Sequence, residues 1–217
     1  TTADQLKKNV DDISVGGTNY ASNGSFSYDI KKSLWASHYV GNTVEVIDIS
    51  TETPPFHFAL HVKNTYKVNG GIFTPAIFEG EAANSLKDEE ITISFWLKYQ
   101  DIVQGDIATD AAYFGRLIIE GEDDNGNKSY LYPRVSLATN SSGYEKVTGT
   151  NTEWAKYYAT HKIALPVGAV KITKISFTHG MIRCTGEFWT TGIKIEIGNK
   201  VTDWSQSPSD LEERISK

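Results

Sequence analysis

Residues 91–99 read Ile91-Thr92-Ile93-Ser94-Phe95-Trp96-Leu97-Lys98-Tyr99, with an apolar side chain at every second position. Successive side chains of a β-strand point to opposite faces of its sheet, so alternation separates an inner from an outer set. The inner set is Ile91, Ile93, Phe95, Leu97 and Tyr99. The outer set is Thr92, Ser94, Trp96 and Lys98. This stretch therefore predicts a half-buried antiparallel strand.

Similar segments recur along the chain, rich in Val, Ile, Phe, Tyr and Thr. They are residues 43–49, 56–63, 113–120, 129–137, 157–165, 170–178, 182–189 and 193–197. Turn signals separate them at 69–71, 123–127, 140–143 and 166–168, and Asp124-Asn125-Gly126 predicts a hairpin. No long helical stripe interrupts the series, which disfavours βαβ architecture. We predict an all-β fold, an antiparallel jelly-roll β-sandwich with short flanking helices.

The two ends differ from this pattern. Residues 1–13 carry Leu6, Val10 and Ile13 at helical spacing, and Ser207-Pro208 predicts an N-cap followed by the first helical residue. We therefore divide the chain into a helical segment at 1–13, a sandwich at 14–206 and a helical segment at 207–217. Both apolar stripes are thin, so we expect these helices to pack against other copies of the chain or else to fray in solvent. The first residue is Thr1, as expected for a piece of a longer protein.

Composition limits the possible partners. The 217-residue chain is 39% hydrophobic and has a formal net charge of -6, which argues against a nucleic acid or an anionic membrane surface. No apolar stretch is long enough for membrane insertion. Cys184, the single cysteine, has no internal disulfide partner and is predicted to be a buried thiol.

Polar faces that also carry aromatic rings predict a binding surface. A pyranose stacks its apolar C–H face on a flat ring, and its hydroxyls favour planar bidentate groups such as Arg and Glu. On the outer faces of four predicted strands we identify eight candidate ligand-binding residues: Trp96, Arg116, Tyr130, Tyr132, Arg134, Arg183, Glu187 and Trp189. Alternatively, these aromatics lie beneath loops as a satellite cluster. On the 113–120 strand, Tyr113 is predicted to face inward and Phe114 outward.

The other candidate sites are explained by ordinary structural roles. His57 and His61 alternate with apolar residues and are predicted to lie on the surface of a strand. The acidic loop 120–124 lacks the spacing of an EF-hand and is predicted to be a solvated turn. No nucleophile elbow, phosphate-binding glycine loop or zinc signature occurs, and no carboxylate pair stands out. We therefore predict no catalytic residues, no metal site and no enzyme activity.

Four stretches carry a family resemblance. Residues 15–26 (VGGTNYASNGSF) and 192–205 (GIKIEIGNKVTDWS) resemble the opening and closing motifs of carbohydrate-binding modules in bacteriophage tail and baseplate proteins. Residues 91–98 (ITISFWLK) and 152–158 (TEWAKYY), followed by Leu165-Pro166, are similar to segments of xylanase-type carbohydrate-binding modules. In this order the four motifs span most of residues 14–207.

The resemblance implies an antiparallel jelly roll that binds a host cell-wall polysaccharide or other surface glycan without hydrolysing it. It places the module in the virion, at a tail tip or baseplate, with other tail subunits as partners and a homo-oligomeric full-length protein. Some relatives hold a structural calcium through an acidic residue that corresponds here to Ser27, with Asp29 two residues on, so we predict no cofactor. Trp154 and Trp204 match structural positions of the motifs, and Trp96 matches one as well.

Two other functions remain open at this level. A structural spacer or oligomerisation domain of the tail would use the same fold without binding a glycan. A glycoside hydrolase would release reducing ends from host cell walls.

Overall fold

The computed structural model describes residues 17–28, 36–38, 43–105, 111–142 and 147–215. It confirms the predicted antiparallel β-sandwich of the jelly-roll class. The strands are β1 (Ala36–His38), β2 (Thr43–Asp48), β3 (Phe58–Glu79), β4 (Glu90–Val103), β5 (Ala111–Glu122), β6 (Lys128–Leu131), β7 (Val135–Ser136), β8 (Ser141–Ser142), β9 (Gly149–Lys162) and β10 (Lys171–Ile197). The helices are α1 (Gly80–Asn84) and α2 (Pro208–Ile215). The predicted helix at 1–13 lies outside the described residues.

Two long strands, β3 and β10, belong to both layers of the sandwich. Sheet A consists of β1, the second half of β3, the first half of β10, β5 and β6, in that order. Sheet B consists of β2, the first half of β3, the second half of β10, β4 and β9. All of these pairings are antiparallel. Each long strand therefore leaves one sheet and enters the other, as strands do at the corners of sandwiches.

The corner of β10 lies at residues 181–186, where the pairing with β3 shifts register. Arg183 has φ 48° and Gly186 has φ 114° at this bend. On β3 the facing corner contains Gly71, where an added Cβ would lie 2.5 Å from the carbonyl oxygen of His179. The predicted turn at 69–71 is therefore wrong, and so is the division of 170–197 into three strands. Bulges and glycines bend a strand without ending it.

The core lies between the two sheets. Ile91, Ile93, Phe95 and Leu97 of β4 are fully buried there, as their alternation predicts. Sheet A contributes a facing set: Phe114, Leu117, Ile119, Ile175 and Phe177. His179 lies among these rings, and its centroid is 4.7 Å from that of Phe95 in an edge-to-face arrangement. Aromatic pairs favour this geometry over face-to-face stacking.

A bulge in β5 changes which of its residues face the core. Thr178 and Gly180 of β10 pair with Arg116 and Tyr113, so β5 has one extra residue in this interval. Gly115 lies in the bulge with φ +59°. As a result Phe114 packs in the core and Tyr113 lies on the same side of the sheet as Arg116. The prediction for Tyr113 and Phe114 is thus reversed, because simple alternation fails across a bulge.

The predicted strand at 129–137 is also shorter than expected. It divides into β6 and β7 with residues 132–134 between them, and the backbone N–H of Leu117 donates to the carbonyl oxygen of Pro133 at 2.8 Å. Proline cannot donate a ladder hydrogen bond, which explains the interruption. The hairpin predicted at 124–126 is confirmed between β5 and β6.

An opening segment (residues 17–28) and a closing segment (residues 198–207) cover one end of the outer face of sheet B. The side chain of Asn19 donates to the carbonyl oxygen of Ser205 at 2.9 Å and accepts from the backbone N–H of Ile195 at 3.1 Å. Ser207 caps α2: its Oγ accepts from the N–H of Asp210, whose carboxylate accepts from the N–H of Ser207. This reciprocal capping box confirms the predicted N-cap. Asp210 also accepts from the N–H of Asn23 at 2.7 Å, which joins the helix to the opening segment.

Candidate functional site

The eight candidate residues lie in three places. Arg116, Tyr130, Tyr132 and Arg134 come from β5, β6 and the segment after β6, at one edge of sheet A. Trp96, Glu187 and Trp189 lie on sheet B, on β4 and the second half of β10. Arg183 lies at the bend of β10 between the sheets. The structure therefore offers two separate surfaces instead of one.

On sheet A, three rings and two guanidinium groups form a continuous contact series, here called the tyrosine–arginine array. Tyr130 and Tyr132 are near-parallel, with ring centroids 6.2 Å apart and 16° between their planes. The guanidinium carbon of Arg116 lies 5.5 Å from the Tyr132 centroid and 4.3 Å from the Tyr113 centroid. Arg134 completes the array at 4.6 Å from the Tyr113 centroid. Distances below about 6 Å allow a cation–π attraction.

One end of the tyrosine–arginine array is open to solvent. Tyr130 is 43% exposed and Tyr132 is 48% exposed, whereas Tyr113 and Arg134 are buried. Within the described part of the chain, neither exposed hydroxyl has a hydrogen-bond partner. The open end thus presents apolar ring surface and unused hydroxyl groups side by side.

Arg116 connects the open and buried ends. Burial lowers the pKa of its guanidinium, and the nearby charge of Arg134 lowers it further. The buried Nε of Arg116 has no hydrogen-bond partner among the residues that the structure describes. A buried nitrogen donor without a partner carries a desolvation cost that a bound acceptor would relieve.

Acidic side chains near the array are already engaged. Glu120, opposite Tyr130 in the β5–β6 pairing, accepts from Lys128 at 2.8 Å and from Thr173 at 3.0 Å. Lys174 lies 3.6 Å away on its other oxygen. Burial alone would raise the pKa of Glu120, but these hydrogen bonds and cations hold it below its usual range.

On sheet B, four residues that are register partners and Trp154, which Lys98 contacts, form a line across the strands, here called the cross-strand row. Its members are Glu45, His61, Trp189, Lys98 and Trp154, one from each strand of the sheet. At a strand spacing of about 4.8 Å the row crosses about 19 Å of the sheet. The His61 and Trp189 rings stack with centroids 4.6 Å apart and 1° between their planes.

The groups of the cross-strand row already have partners. Trp189 is contacted from both neighbouring strands, by His61 and by the Lys98 ammonium 5.3 Å from its centroid. The indole N–H of Trp154 donates to Glu52 at 2.7 Å, and Lys98 lies 5.0 Å from the Trp154 centroid. Glu187, another candidate, accepts from the Nε2 of His61 at 2.8 Å. The row is therefore a satisfied network with little free ring surface.

Tyr113 belongs to the site although the alternation rule placed it in the core. A signal for it exists in the sequence: Gly115 stands in the middle of a strand pattern, and an isolated glycine there suggests a bulge. A bulge at Gly115 shifts the alternation of side chains by one residue and so places Tyr113 on the same face as Arg116.

No metal centre is found among the described residues, because they contain no group of three or more His, Cys, Asp and Glu side chains arranged to hold an ion. Asp29, considered for calcium, lies outside them. In the same part of the chain, no helix has the length and apolar character needed to cross a bilayer.

No protein-family model matches this sequence, and no curated protein is significantly similar to it. Solved structures do resemble it. The enzymatically active domain of tailspike protein 4 from bacteriophage CBA120 matches 82% of this chain at 15% identity with a TM-score of 0.49. This chain corresponds to 21% of that tailspike chain.

Two xylanase modules are also similar. The CBM22-1 xylan-binding domain of Paenibacillus barcinonensis Xyn10C matches 88% of this chain, over 97% of its own length, at 13% identity and a TM-score of 0.45. The C-terminal family 22 carbohydrate-binding module of Clostridium thermocellum Xyn10B matches 88% of this chain and 97% of its own, at 12% identity and a TM-score of 0.44. At such identities no site residue is transferred from these structures to this chain.

Proposed function

We propose that this domain binds a polysaccharide without cleaving it, on the outer face of sheet A. The observation that carries the proposal is the open end of the tyrosine–arginine array, where Tyr130 and Tyr132 expose near-parallel rings beside Arg116. A sugar ring covers such surface with its C–H face, and its hydroxyls reach the phenol and guanidinium groups at the rim.

The choice of sheet A over sheet B rests on accessibility. Stacking needs a free ring face, and in the cross-strand row His61 and Lys98 already contact Trp189. Tyr130 and Tyr132 are each exposed over nearly half of their surface. The proposed site therefore contains four of the eight predicted residues together with Tyr113.

We further propose that the domain acts in host adhesion, as part of a phage tail or baseplate protein in the virion. The support is the motif resemblance at both ends of the sandwich. Residues of those motifs hold the ends together here: Asn19 bonds to Ser205, and the indole N–H of Trp204 donates to the carbonyl oxygen of Ile193 at 3.3 Å. Weak binding at one site would be multiplied by several copies on a virion.

The test is affinity gel electrophoresis and calorimetry of the domain with xylan, dextran and purified bacterial cell-wall polysaccharides. We expect at least one polymer to bind, and Tyr132→Ala to weaken its binding about fivefold, since an aromatic contact contributes about 1 kcal/mol. Tyr158→Ala is the matched control, because Tyr158 is 41% exposed but lies on β9 of sheet B.

Other results would contradict the proposal. Equal losses of affinity in Tyr132→Ala and Tyr158→Ala would place the site elsewhere. If no polymer binds to the folded domain while light scattering shows a stable oligomer, the domain is a structural spacer. Release of reducing ends from a bound polymer would instead identify a hydrolase.

A further inference from the structure

Arg116, in the middle of the tyrosine–arginine array, carries a positive charge that no residue described by the structure neutralises. Within the described part of the chain Arg116 has no ion pair, its buried Nε has no hydrogen-bond partner, and another cation, Arg134, lies near enough to lower its pKa. Both guanidinium groups contact the ring of Tyr113, at 4.3 Å and 4.6 Å. Buried charges in proteins are ordinarily paired, since removing a charge from water is costly.

The acidic residues of β5 on the same face do not serve as that partner, and the farther one along the strand, Glu122, pairs with Lys171 at 3.0 Å. Glu120 lies four residues along β5 from Arg116, and its two oxygens are taken by Lys128, Thr173 and Lys174. The tyrosine–arginine array is thus a local cationic spot on a chain whose net charge is -6. Screening confines its field to about 8 Å at physiological salt, so the acidic remainder of the surface does not cancel it.

The rings on either side of Arg116 fix how a ligand can approach. Tyr132 lies on the solvent side of the guanidinium and is exposed, whereas Tyr113 lies on the buried side. A group that reaches Arg116 therefore passes along Tyr132, whose ring centroid lies 5.5 Å from the guanidinium carbon. A planar carboxylate or a phosphate on a sugar stacked over Tyr132 would approach along this path and pair with the guanidinium.

We infer, building on the proposed function, that the polysaccharide is acidic and that Arg116 binds its carboxylate or phosphate oxyanion while Tyr132 and Tyr130 support the sugar rings. Arg116 is then the residue that decides between acidic and neutral glycans. The shared chemistry of the two candidate groups is an oxyanion on a saccharide.

The experiment measures binding of the domain by calorimetry to five polymers: hyaluronan and polygalacturonate carry carboxylates, glycerol-phosphate teichoic acid carries phosphate, and xylan and dextran are neutral. We expect at least one acidic polymer to bind about tenfold more tightly than either neutral one, a preference that falls as salt is raised. Carboxyl reduction of a bound uronate keeps the polymer and removes its charge, so it should abolish the difference. A preference for the teichoic acid over both uronates would identify phosphate as the oxyanion that Arg116 binds.

Arg116→Gln removes the charge and should weaken binding of acidic polymers about tenfold, a larger factor than for neutral polymers, so that the acidic preference is lost. Arg116→Lys keeps the charge without the planar fork, and we expect an intermediate loss. Lys162→Gln, an exposed lysine on β9, is the charge-matched control and should change nothing. Circular dichroism and the melting temperature verify that each variant is folded.

The outcomes separate the two proposals. Equal binding of acidic and neutral polymers, or an Arg116→Gln variant that keeps the acidic preference, would overturn the role of Arg116 and leave polysaccharide binding intact. Absence of binding to all five polymers would reject both the proposed function and this inference.

Discussion

Lys194 and Glu196 form an ion pair inside the protein: the lysine Nζ lies 3.3 Å from a carboxylate oxygen, and the two side chains are 1% and 0% exposed. They stand two residues apart on β10 and therefore share a face of sheet B. Both bind the closing segment, since Glu196 accepts from the N–H of Thr202 at 3.0 Å and Lys194 donates to the carbonyl oxygen of Asp203 at 2.8 Å. This pair holds the closing segment on the sheet.

Removing one partner of this ion pair should be strongly destabilising. We expect Lys194→Met to lower the free energy of unfolding by about 3 to 5 kcal/mol, because an uncompensated buried carboxylate remains. The double variant Lys194→Met/Glu196→Leu should cost less than the single one. Urea denaturation of the three proteins measures both effects, and a single variant as stable as the wild type would contradict a stabilising role for the ion pair.

Substitution of Asn19, in the opening segment, should destabilise the protein. Its amide group donates to Ser205 and accepts from the backbone N–H groups of Ala21 and Ile195. Asn19→Ala leaves these buried groups unpaired, and we expect a loss of about 2 to 4 kcal/mol in thermal or urea unfolding. Asn19→Asp keeps the accepting oxygen but places a second one against the Ser205 carbonyl, so it should also destabilise. Wild-type stability of Asn19→Asp would argue against this arrangement.

Gly115 should tolerate no side chain. An added Cβ would lie 2.5 Å from Phe95 and 2.7 Å from Val135, at φ +59°. Gly126→Ala is the matched control, with φ +82° and no atom within 4 Å of the added Cβ. We expect about 1 kcal/mol of destabilisation for the control and at least about 2 kcal/mol more for Gly115→Ala, since only the latter crowds the core. Similar losses of stability in the two variants would mean that the side chains around residue 115 shift and relieve the steric crowding.

Lowering the pH should reduce the free energy of unfolding before the carboxylates of the protein take up protons. Burial lowers the pKa of His179 to about 3 and that of His161 to about 4. Both are neutral in the folded protein but take up a proton when unfolded, below pH about 6.5. Stability is therefore complete above pH 6.5 and is lost as the pH falls. Each histidine adds a slope of about 1.4 kcal/mol per pH unit between pH 6.5 and its folded pKa.

Urea unfolding at pH 7.5, 6.0 and 5.0 measures this slope. His161→Asn removes one of the two groups and should halve it, while leaving the His179 contribution in place. The pH range stays above the region in which Glu120 and Glu52 protonate, because both have a lowered pKa. A flat profile from pH 7.5 to 5.0 would show that the two imidazoles are protonated in the folded state.

Trp189 should matter for stability and not for binding. It is held between His61 and Lys98 in the cross-strand row. We expect Trp189→Ala to lower the free energy of unfolding by about 3 kcal/mol and to leave polysaccharide affinity unchanged, the reverse of Tyr132→Ala. Trp189→Phe is the conservative comparison and should recover part of the stability. A loss of affinity in folded Trp189→Ala would assign the binding surface to sheet B.

The sequence alone determined the class of fold and the inner face of strand β4. Alternation in residues 91–97 and the turn at 124–126 are local properties, because side-chain direction on a strand and the backbone demands of a tight turn depend on neighbouring residues only. The N-cap at Ser207 could be predicted from the sequence for the same reason. Residue type on an outer face also identified Tyr130, Tyr132, Arg116 and Arg134 as candidates.

Tertiary structure decided what those residues form. Whether a glycine ends a strand or bends it depends on what packs against it, so Gly71 and Gly186 could not be recognised as corners inside β3 and β10. Sheet membership followed from those corners, and it separated Trp189 from Tyr132. The bulge at Gly115 reversed Tyr113 and Phe114 and brought two guanidinium groups onto one ring. The distances between strands that are far apart in the sequence are set only when the chain folds, and those distances define the tyrosine–arginine array.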